Sequence, residues 1–325
     1  MKPRNTRIAA VLIASALVAG TAAAQEYPSK PIRFVQPSAS GVQSDTALRA
    51  ILAKLNEKFG WNTVVDNRPG GQFVPSTTSV TQADPDGHSV LVLYQSVTIV
   101  PHARKDNPFN ILRDLAPVAL IGTIPVVLAA HPSVPTKTLQ ELVAYSKANP
   151  GKLNYAMPGG VGSSTHLTGE FLKLATGLNM VSVSYKDTTS ALPDIYENRV
   201  QLGIAPLGNF LAGIQSGKVK AIAITSAKRD PLAPDVQTMI EATGNQDLDL
   251  DSWAGWAVPA KTPRPIIDRL YRAFAEVIQM PDLRAQMQKL GMTPAVETPD
   301  AFRKRLEDSD RRWERTIREA KITFN

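Results

Sequence analysis

Short apolar runs alternate with longer amphipathic ones along most of this chain, and that rhythm constrains the fold more than any other feature. "PIRFVQP" reads as a strand, and "SDTALRAILAKLNEKFG" then sets Leu48, Ile51, Leu52, Leu55 and Phe59 on one helical face before Gly60. "WNTVVDN" and "SVLVLY" are further strands, the second preceded by the turn signal Pro85-Asp86-Gly87. From residue 138 the pattern repeats as helix "TLQELVAYSKANPG", strand "KLNYAM", helix "STHLTGEFLKLATG", strand "MVSVSY", helix "TSALPDIYENR" and strands "VQLGIAP" and "VKAIAITS". Such alternation implies an α/β fold of mostly parallel sheets flanked by helices. With 325 residues the chain exceeds what one core usually organises, so two lobes sharing a hinge are expected. The β-branched run "LAPVALIGTIPVVLAAH", broken by Pro125, is long enough to pass between them. No internal repeat or low-complexity segment is evident.

The amino terminus reads as an export leader. Lys2, Arg4 and Arg7 precede an apolar run from Ile8 to Ala19, and Ala22-Ala23-Ala24 offers a cleavage site after Ala24. The run is short for a bilayer span, which takes ~20 apolar residues. Residues 1–24 are therefore assigned to a signal peptide and the mature chain to the periplasm, where it diffuses freely. The sequence has no cysteine, so neither disulfides nor a lipid anchor on the new terminus is available. Without Lys2, Arg4 and Arg7 the formal charge falls from +7 to +4. The charge-dense end, "FRKRLEDSDRRWERTIREAK", alternates in sign and places Phe302, Leu306, Trp313 and Ile317 at helical multiples, as a solvated helix does. A nucleic-acid face would need a one-signed stripe with interleaved aromatics. Nucleic acid is excluded as a partner.

"NYAMPGGVGSSTHLTGE", residues 154–170, carries the densest chemistry. It lacks the lysine of a phosphate-binding P-loop, the spacing of a dinucleotide fingerprint, and the glycine that would follow Ser164 in a nucleophile elbow. A secreted serine hydrolase using Ser164 and His166 is the alternative enzymatic reading, weakened because neighbours on one helix start rarely align as nucleophile and base. No His, Asp or Glu cluster has metal-ligand spacing, and no cofactor is implied. A different pattern stands out. "QPSASGVQSDTALR", "MPGGVGSSTHLTG" and "SYKDTTSALPD" are each a strand, a hydroxyl-rich turn and a helix start. Their first-turn amides, the helix dipole, and the hydroxyls of Ser38, Ser40, Ser44, Ser163, Ser164, Thr165, Thr188 and Thr189 suit a carboxylate or phosphate. Any one of them alone is an ordinary N-cap. Three at the carboxyl edges of strands, where open α/β folds collect ligands, point to a site.

From "YPSKPIRFVQP" through "VVDNRPGG", "DPDGHSVLVL", "HPSVPTKTLQELVAYSKANPGKLNYA", "SSTHLTGE", "IQSGKVKAIAITSAKRDPLAPDVQT", "SWAGWAVPAKTPRPIIDRL" and "LGMTPAVETPDAF", the chain resembles the Bug family. These are solute-binding components of tripartite tricarboxylate transporters. The resemblance implies a two-lobed, type II periplasmic binding fold that closes like a flytrap, a small carboxylate ligand, a membrane permease as partner, a monomeric receptor and no catalysis. It divides the chain into a discontinuous first lobe, 25–125 plus 249–325, and a second, 126–248. It implies a carboxylate grip from Ser38, Ala39, Ser40, Gly41 and Asp45 on one lobe and Pro158, Gly159, Val161, Ser163, Ser164 and His166 on the other. Tyr94, Ser96, Tyr185, Thr188 and Ala205 complete the implied lining, with Phe73 and Tyr94 either covering the ligand or packing in the lobe.

The departures matter too. Pro37-Ser38-Ala39-Ser40-Gly41-Val42 replaces the usual Pro-Phe-Pro-Pro-Gly-Gly, and Tyr185-Lys186-Asp187 replaces Tyr-Lys-Gly. Gln201 and Ala205 align with positions where relatives often carry Asp. A distal cleft with fewer acids would favour a second anion or an apolar body over an amine. A dicarboxylate is expected, aromatic such as terephthalate or aliphatic, with citrate a further candidate.

Overall fold

The computed structural model describes residues 27–70, 73–103 and 106–323; the expected leader and its cleavage point lie outside the described residues. Strands, and helices of eight residues or more, are numbered in chain order. The chain begins with β1 (Ile32–Gln36), α1 (Gln43–Phe59), β2 (Thr63–Asn67), α2 (Val74–Thr81), β3 (Ser89–Tyr94) and β4 (Leu115–Ile124). After Pro125 come β5 (Val126–Ala130), α3 (Leu139–Ala148), β6 (Asn154–Pro158), α4 (Ser164–Thr176), β7 (Val181–Tyr185), α5 (Thr188–Tyr196), β8 (Leu202–Pro206), α6 (Leu207–Gln215) and β9 (Lys220–Ile224). The chain returns as β10 (Ser252–Pro259), α7 (Arg264–Val277), α8 (Pro281–Lys289), β11 (Thr293–Glu297) and α9 (Pro299–Glu319).

Two sheets result, ordered β11-β4-β10-β3-β1-β2 and β7-β6-β8-β5-β9. Both are mixed rather than mostly parallel. Parallel pairing is confined to β1 with β2 and β3, and to β6 with β7 and β8. The strands that carry the chain between sheets, or back into the first one, pair antiparallel: β10 with β3 and β4, β11 with β4, and β5 with β8 and β9. The order β2-β1-β3 recurs as β7-β6-β8, a structural repeat that the sequence conceals.

Each sheet is covered on both faces. In the first, α1 and α7 pack Leu48, Ile51, Leu55, Leu270 and Phe274 against Phe34 and Trp256. The opposite face holds Val35, Leu91, Leu93, Trp253, Phe302 and Leu306. Helix α9 serves both sheets, because Phe302 and Leu306 enter that cluster while Trp313 enters the one around Leu128, Leu167 and Phe171. All three side chains are fully buried. At roughly 1.5–3 kcal/mol for each large side chain removed from water, α9 is a substantial strap across the two sheets.

Strand directions locate the crevice. Strand β4 is parallel to β3, since both run antiparallel to β10, so the carboxyl ends of β1, β2 and β3 lie at the Ile124 end of β4. Val126 at the start of β5 pairs with Pro206 at the end of β8, so β6, β7 and β8 also finish beside Pro125. The loops leaving all six strands therefore converge on the crossing between the sheets.

Candidate functional site

The loop after β1 is shaped from within. Asp45 is 1% exposed, and its carboxylate accepts from the Gly41 amide at 2.9 Å, Asn67 Nδ2 at 2.9 Å and Arg49 Nε at 2.8 Å. Burial alone would push this carboxyl up; the bonds from Arg49, Gly41 and Asn67 outweigh it and hold it below the usual range. Asn67 also donates to the Ser38 carbonyl at 2.9 Å, and the Ser38 and Ser44 hydroxyls lie 3.1 Å apart. Asp45 is thus a loop former whose oxygens are already occupied. Asn67 and Arg49, which sequence reasoning missed, complete the clamp; "VVDNRPGG" contains Asn67 and "SDTALRA" contains Arg49, but neither stretch by itself assigns them this role. Helix α1 opens at Val42 with no side-chain cap, and among the described residues the Gln43 and Ser44 amides have no protein acceptor. Gly41, at φ 81°, permits the turn.

The loop after β6 is its counterpart. Gly159, Gly160 and Gly162 have φ of 83°, 75° and 82°, a left-handed path closed to most side chains. The Gly159 amide donates to the Tyr185 carbonyl at 3.0 Å, tying this loop to the end of β7. Ser163 is the N-cap of α4, its hydroxyl accepting from the His166 amide at 3.2 Å. Ser164, the first helical residue, is partly exposed, and its hydroxyl has no protein partner among the described residues. The amides of Val161, Ser164 and Thr165 likewise have no protein acceptor there. Pro158 supplies a carbonyl to Thr165 Oγ1 at 2.7 Å.

His166 is buried behind the loop. Its Nδ1 accepts from the Gly162 amide at 3.1 Å, and Nε2 faces Glu170 Oε1 at 3.9 Å. Burial pushes its pKa down, with Lys173 adding to that and Glu170 opposing it, so the ring is neutral and holds the loop as an acceptor. Neither ring nitrogen is available to a serine, which removes the base from the hydrolase reading.

The remaining expected residues divide. Ser96 is partly exposed on the turn Gln95–Thr98 after β3, and Thr188 is partly exposed at the start of α5, whose cap is Asp187. Tyr94 OH lies 3.0 Å from Gln36 Nε2, placing the phenol behind the first loop, and Tyr185 OH donates to Asp194 at 2.7 Å. Phe73 begins α2 and packs against the cluster of Val35 and Leu91.

Two positions stand elsewhere than expected. Ala205 is 0% exposed, and its methyl points into the cluster of Val127, Ala156, Leu207 and Phe210 rather than into the crevice. Gln201 precedes β8, at the end remote from Pro125, and its side-chain oxygen accepts from the Asn154 amide at 3.2 Å. The inference from missing acids therefore loses its footing, because Ala205 points into an apolar cluster and Gln201 lies at the far end of β8.

The sequence profile of the "Tripartite tricarboxylate transporter family receptor" matches residues 47–322. The chain belongs to this receptor family. Among solved structures, the periplasmic binding protein BugD is 30% identical with a TM-score of 0.70, the alignment covering 92% of this chain and 100% of that one. R. palustris Rpa4515, solved with adipate, is 26% identical with a TM-score of 0.73 over 92% and 100% of the two chains. MatC from Rhodopseudomonas palustris, solved with bound malate, is 28% identical with a TM-score of 0.68 over 90% and 100%. The family is one of solute-binding receptors, not enzymes, and this receptor has the same two-lobed periplasmic binding fold. It is a periplasmic solute-binding protein of the TctC/Bug type.

Proposed function

We propose that this receptor captures a small dicarboxylate between its lobes and delivers it to the permease of a tripartite tricarboxylate transporter. The observation that carries the reading is the pair of loops at the crevice, Ser38–Gln43 and Pro158–Ser164, each presenting unpaired amides and hydroxyls from opposite sheets. Two helix openings add partial positive charge at the same place. Adipate on Rpa4515 and malate on MatC, both dicarboxylates, support the class. A ligand touching both loops has greater affinity for the closed form and shifts the population toward it. The lobes divide at Pro125 and at 249, with α9 following the motion from behind.

Calorimetric titration with adipate, malate, terephthalate and the monocarboxylates hexanoate and benzoate tests the class. A dicarboxylate is expected to outbind its monocarboxylate counterpart; a monocarboxylate binding as tightly would sink the proposal. Ser164→Ala is expected to weaken the best ligand by about 1.5–3 kcal/mol, the worth of a charge-assisted hydrogen bond. Its stability should move by less than about 0.5 kcal/mol, because Ser163 and not Ser164 holds the cap. Unchanged affinity would remove Ser164 from the site.

Export makes a separate prediction. Periplasmic material is expected to begin at Gln25, and an intact mass that retains residues 1–24 would refute the leader assignment.

A further inference from the structure

A loop with glycines at 159, 160 and 162 has little conformational preference of its own, so its path must be imposed by its neighbours. The bonds within it are long: the Gly160 amide lies 3.4 Å from the Met157 carbonyl and the Ser163 amide 3.2 Å from that of Gly160. At its centre the Gly162 amide donates to His166 Nδ1 at 3.1 Å, and the unpaired amides of Val161 and Ser164 lie within two residues of that bond. The bond exists only while Nδ1 carries no proton. The ring must therefore be neutral, with its hydrogen on Nε2.

Nε2 faces a carboxylate that is itself fixed. Glu170, one turn along α4, presents Oε1 3.9 Å from Nε2. That is longer than a direct hydrogen bond, but charge acts at this distance, and an anion there favours a proton on the nearer nitrogen. Glu170 Oε1 accepts from the Tyr155 hydroxyl at 3.1 Å and from Lys173 Nζ at 3.0 Å, and Oε2 lies 2.9 Å from the same ammonium. Tyr155, fully buried in β6, reaches Glu170 because position 169 is glycine: a methyl there would stand 2.7 Å from Tyr155 Cε2 and 2.8 Å from its hydroxyl oxygen. Glycine is a poor helix former, so α4 gives up helix propensity at the point where the phenol passes. Glu170 and Lys173 are the charges that act on the ring. Of the other elements packed against α4, β8 offers apolar Leu202 and Ile204, and α9 lays Arg312 and Arg315 over the Phe171 ring.

We propose that Glu170 is a positioning residue for ligand capture: held by Tyr155 and Lys173, its carboxylate keeps the His166 hydrogen on Nε2, and the bare Nδ1 then holds the Gly162 amide and sets the loop that grips the carboxylate. Only the last step rests on the dicarboxylate reading above. Protonation of His166 would set N–H against N–H at Gly162 and displace the loop. Proton and ligand therefore oppose each other, and affinity falls as pH falls through the titration of the ring.

Imidazole nitrogen NMR spectra of the ligand-free receptor test the first step. The chain has four histidines, and His166→Asn identifies the signals of His166. Wild type is expected to show the Nε2–H form. Glu170→Gln should admit the Nδ1–H form and move the titration to lower pH, because the anion that favours the charged ring is gone; Lys173→Met should move it to higher pH, because the opposing cation is gone. A merely structural role would not give opposite shifts. Calorimetry with adipate, malate and terephthalate tests the second step. Glu170→Gln should weaken the best of them several-fold at pH 7, and the wild-type loss of affinity on acidification, beyond the ligand's own titration, should be absent from His166→Asn, which keeps an acceptor at the δ position and cannot titrate. A wild-type ring with its hydrogen on Nδ1, shifts of the same sign in the two variants, or an altered tautomer with unaltered affinity each overturns the proposal. Failure of all three dicarboxylates to bind the wild type would overturn the function proposed above, while the spectra, read without ligand, still decide the role of Glu170. If Glu170→Gln does not fold, Tyr155→Phe, which removes one bond that holds the carboxylate, is expected to show the same tautomer change in smaller degree, and a wild-type spectrum there overturns the proposal.

Discussion

Ala205→Asp is expected to cripple folding of the second lobe while leaving ligand preference alone. Position 205 is fully buried in an apolar cluster that includes Val127, Ala156, Ile195, Leu207 and Phe210. A carboxylate there has no cation or hydroxyl among the buried members of the cluster to meet it, and the Tyr185 hydroxyl at its margin is taken by Asp194, so it must either stay protonated or remain charged and poorly solvated. The added atoms also overpack a filled core, at about 1–3 kcal/mol. Together the penalties are on the order of 4 kcal/mol, which lowers the Tm of a chain this size by roughly 10 °C. Thermal unfolding of the purified variant, followed by titration of whatever remains folded, checks it. A variant with wild-type Tm and inverted preference between dicarboxylate and amino acid would show that the side chain faces the cleft after all.

Asp251→Asn should show the largest pH dependence. Burial pushes the Asp251 carboxyl up to about 7 and the neighbouring Asp249 adds to it, against the lowering effect of the Thr225 and Ser226 hydroxyls. Below pH ~4 the carboxyl is protonated in folded and unfolded chains alike, so it imposes no penalty. As pH rises from ~4 toward 7 the unfolded chain releases this proton while the folded one keeps it, and wild-type stability falls. Above about pH 7 the loss is complete. Three units at about 1.4 kcal/mol each give about 4 kcal/mol. Asparagine cannot ionise and still offers an oxygen to both hydroxyls. The variant is therefore expected to gain on the wild type by up to about 4 kcal/mol between pH 4 and 8. The depressed carboxyls, Asp45 among them, are common to both proteins and cancel in the difference. Urea unfolding of the pair at pH 4, 6 and 8 measures it, and a difference that stays flat across that range would show that Asp251 is not buried as described.

Much of the architecture was legible because local chemistry decides it. The strand–helix alternation, the break at Pro125, and the three strand–turn–helix units at carboxyl edges follow from periodicity, ring constraint and turn composition. The left-handed glycines at 159, 160 and 162 fall where "PGGVG" places them, since no other residue takes that path readily. Even the helical stripe of Phe302, Leu306 and Trp313 was readable, as was the likeness of the chain to the Bug receptors.

What the sequence left open is whatever depends on two faces being covered at once. In β8, Leu202 through Ala205 are all buried, so no apolar–polar alternation tells which side chains face α4 and which face α5 and α6. Ala205 is expected in the cleft from its alignment with relatives, and nothing in the all-buried run itself tells against that. The same silence hid which apolar residues of α9 belong to which sheet, and hence that this helix straps the lobes together. Strand direction was equally hidden: β10 enters antiparallel because the chain returns from the second sheet, a consequence of path rather than of composition. Adjacent serines could not show that Ser163 caps α4 while Ser164 stays open to a ligand, because one residue of helix phase separates the two roles. The sequence by itself determined the elements, their order and the two loops that present the amides. Only the tertiary structure decided which side chains those loops leave free and that Asp251 is buried at the crossing, because burial and pairing are set by residues far apart in the chain.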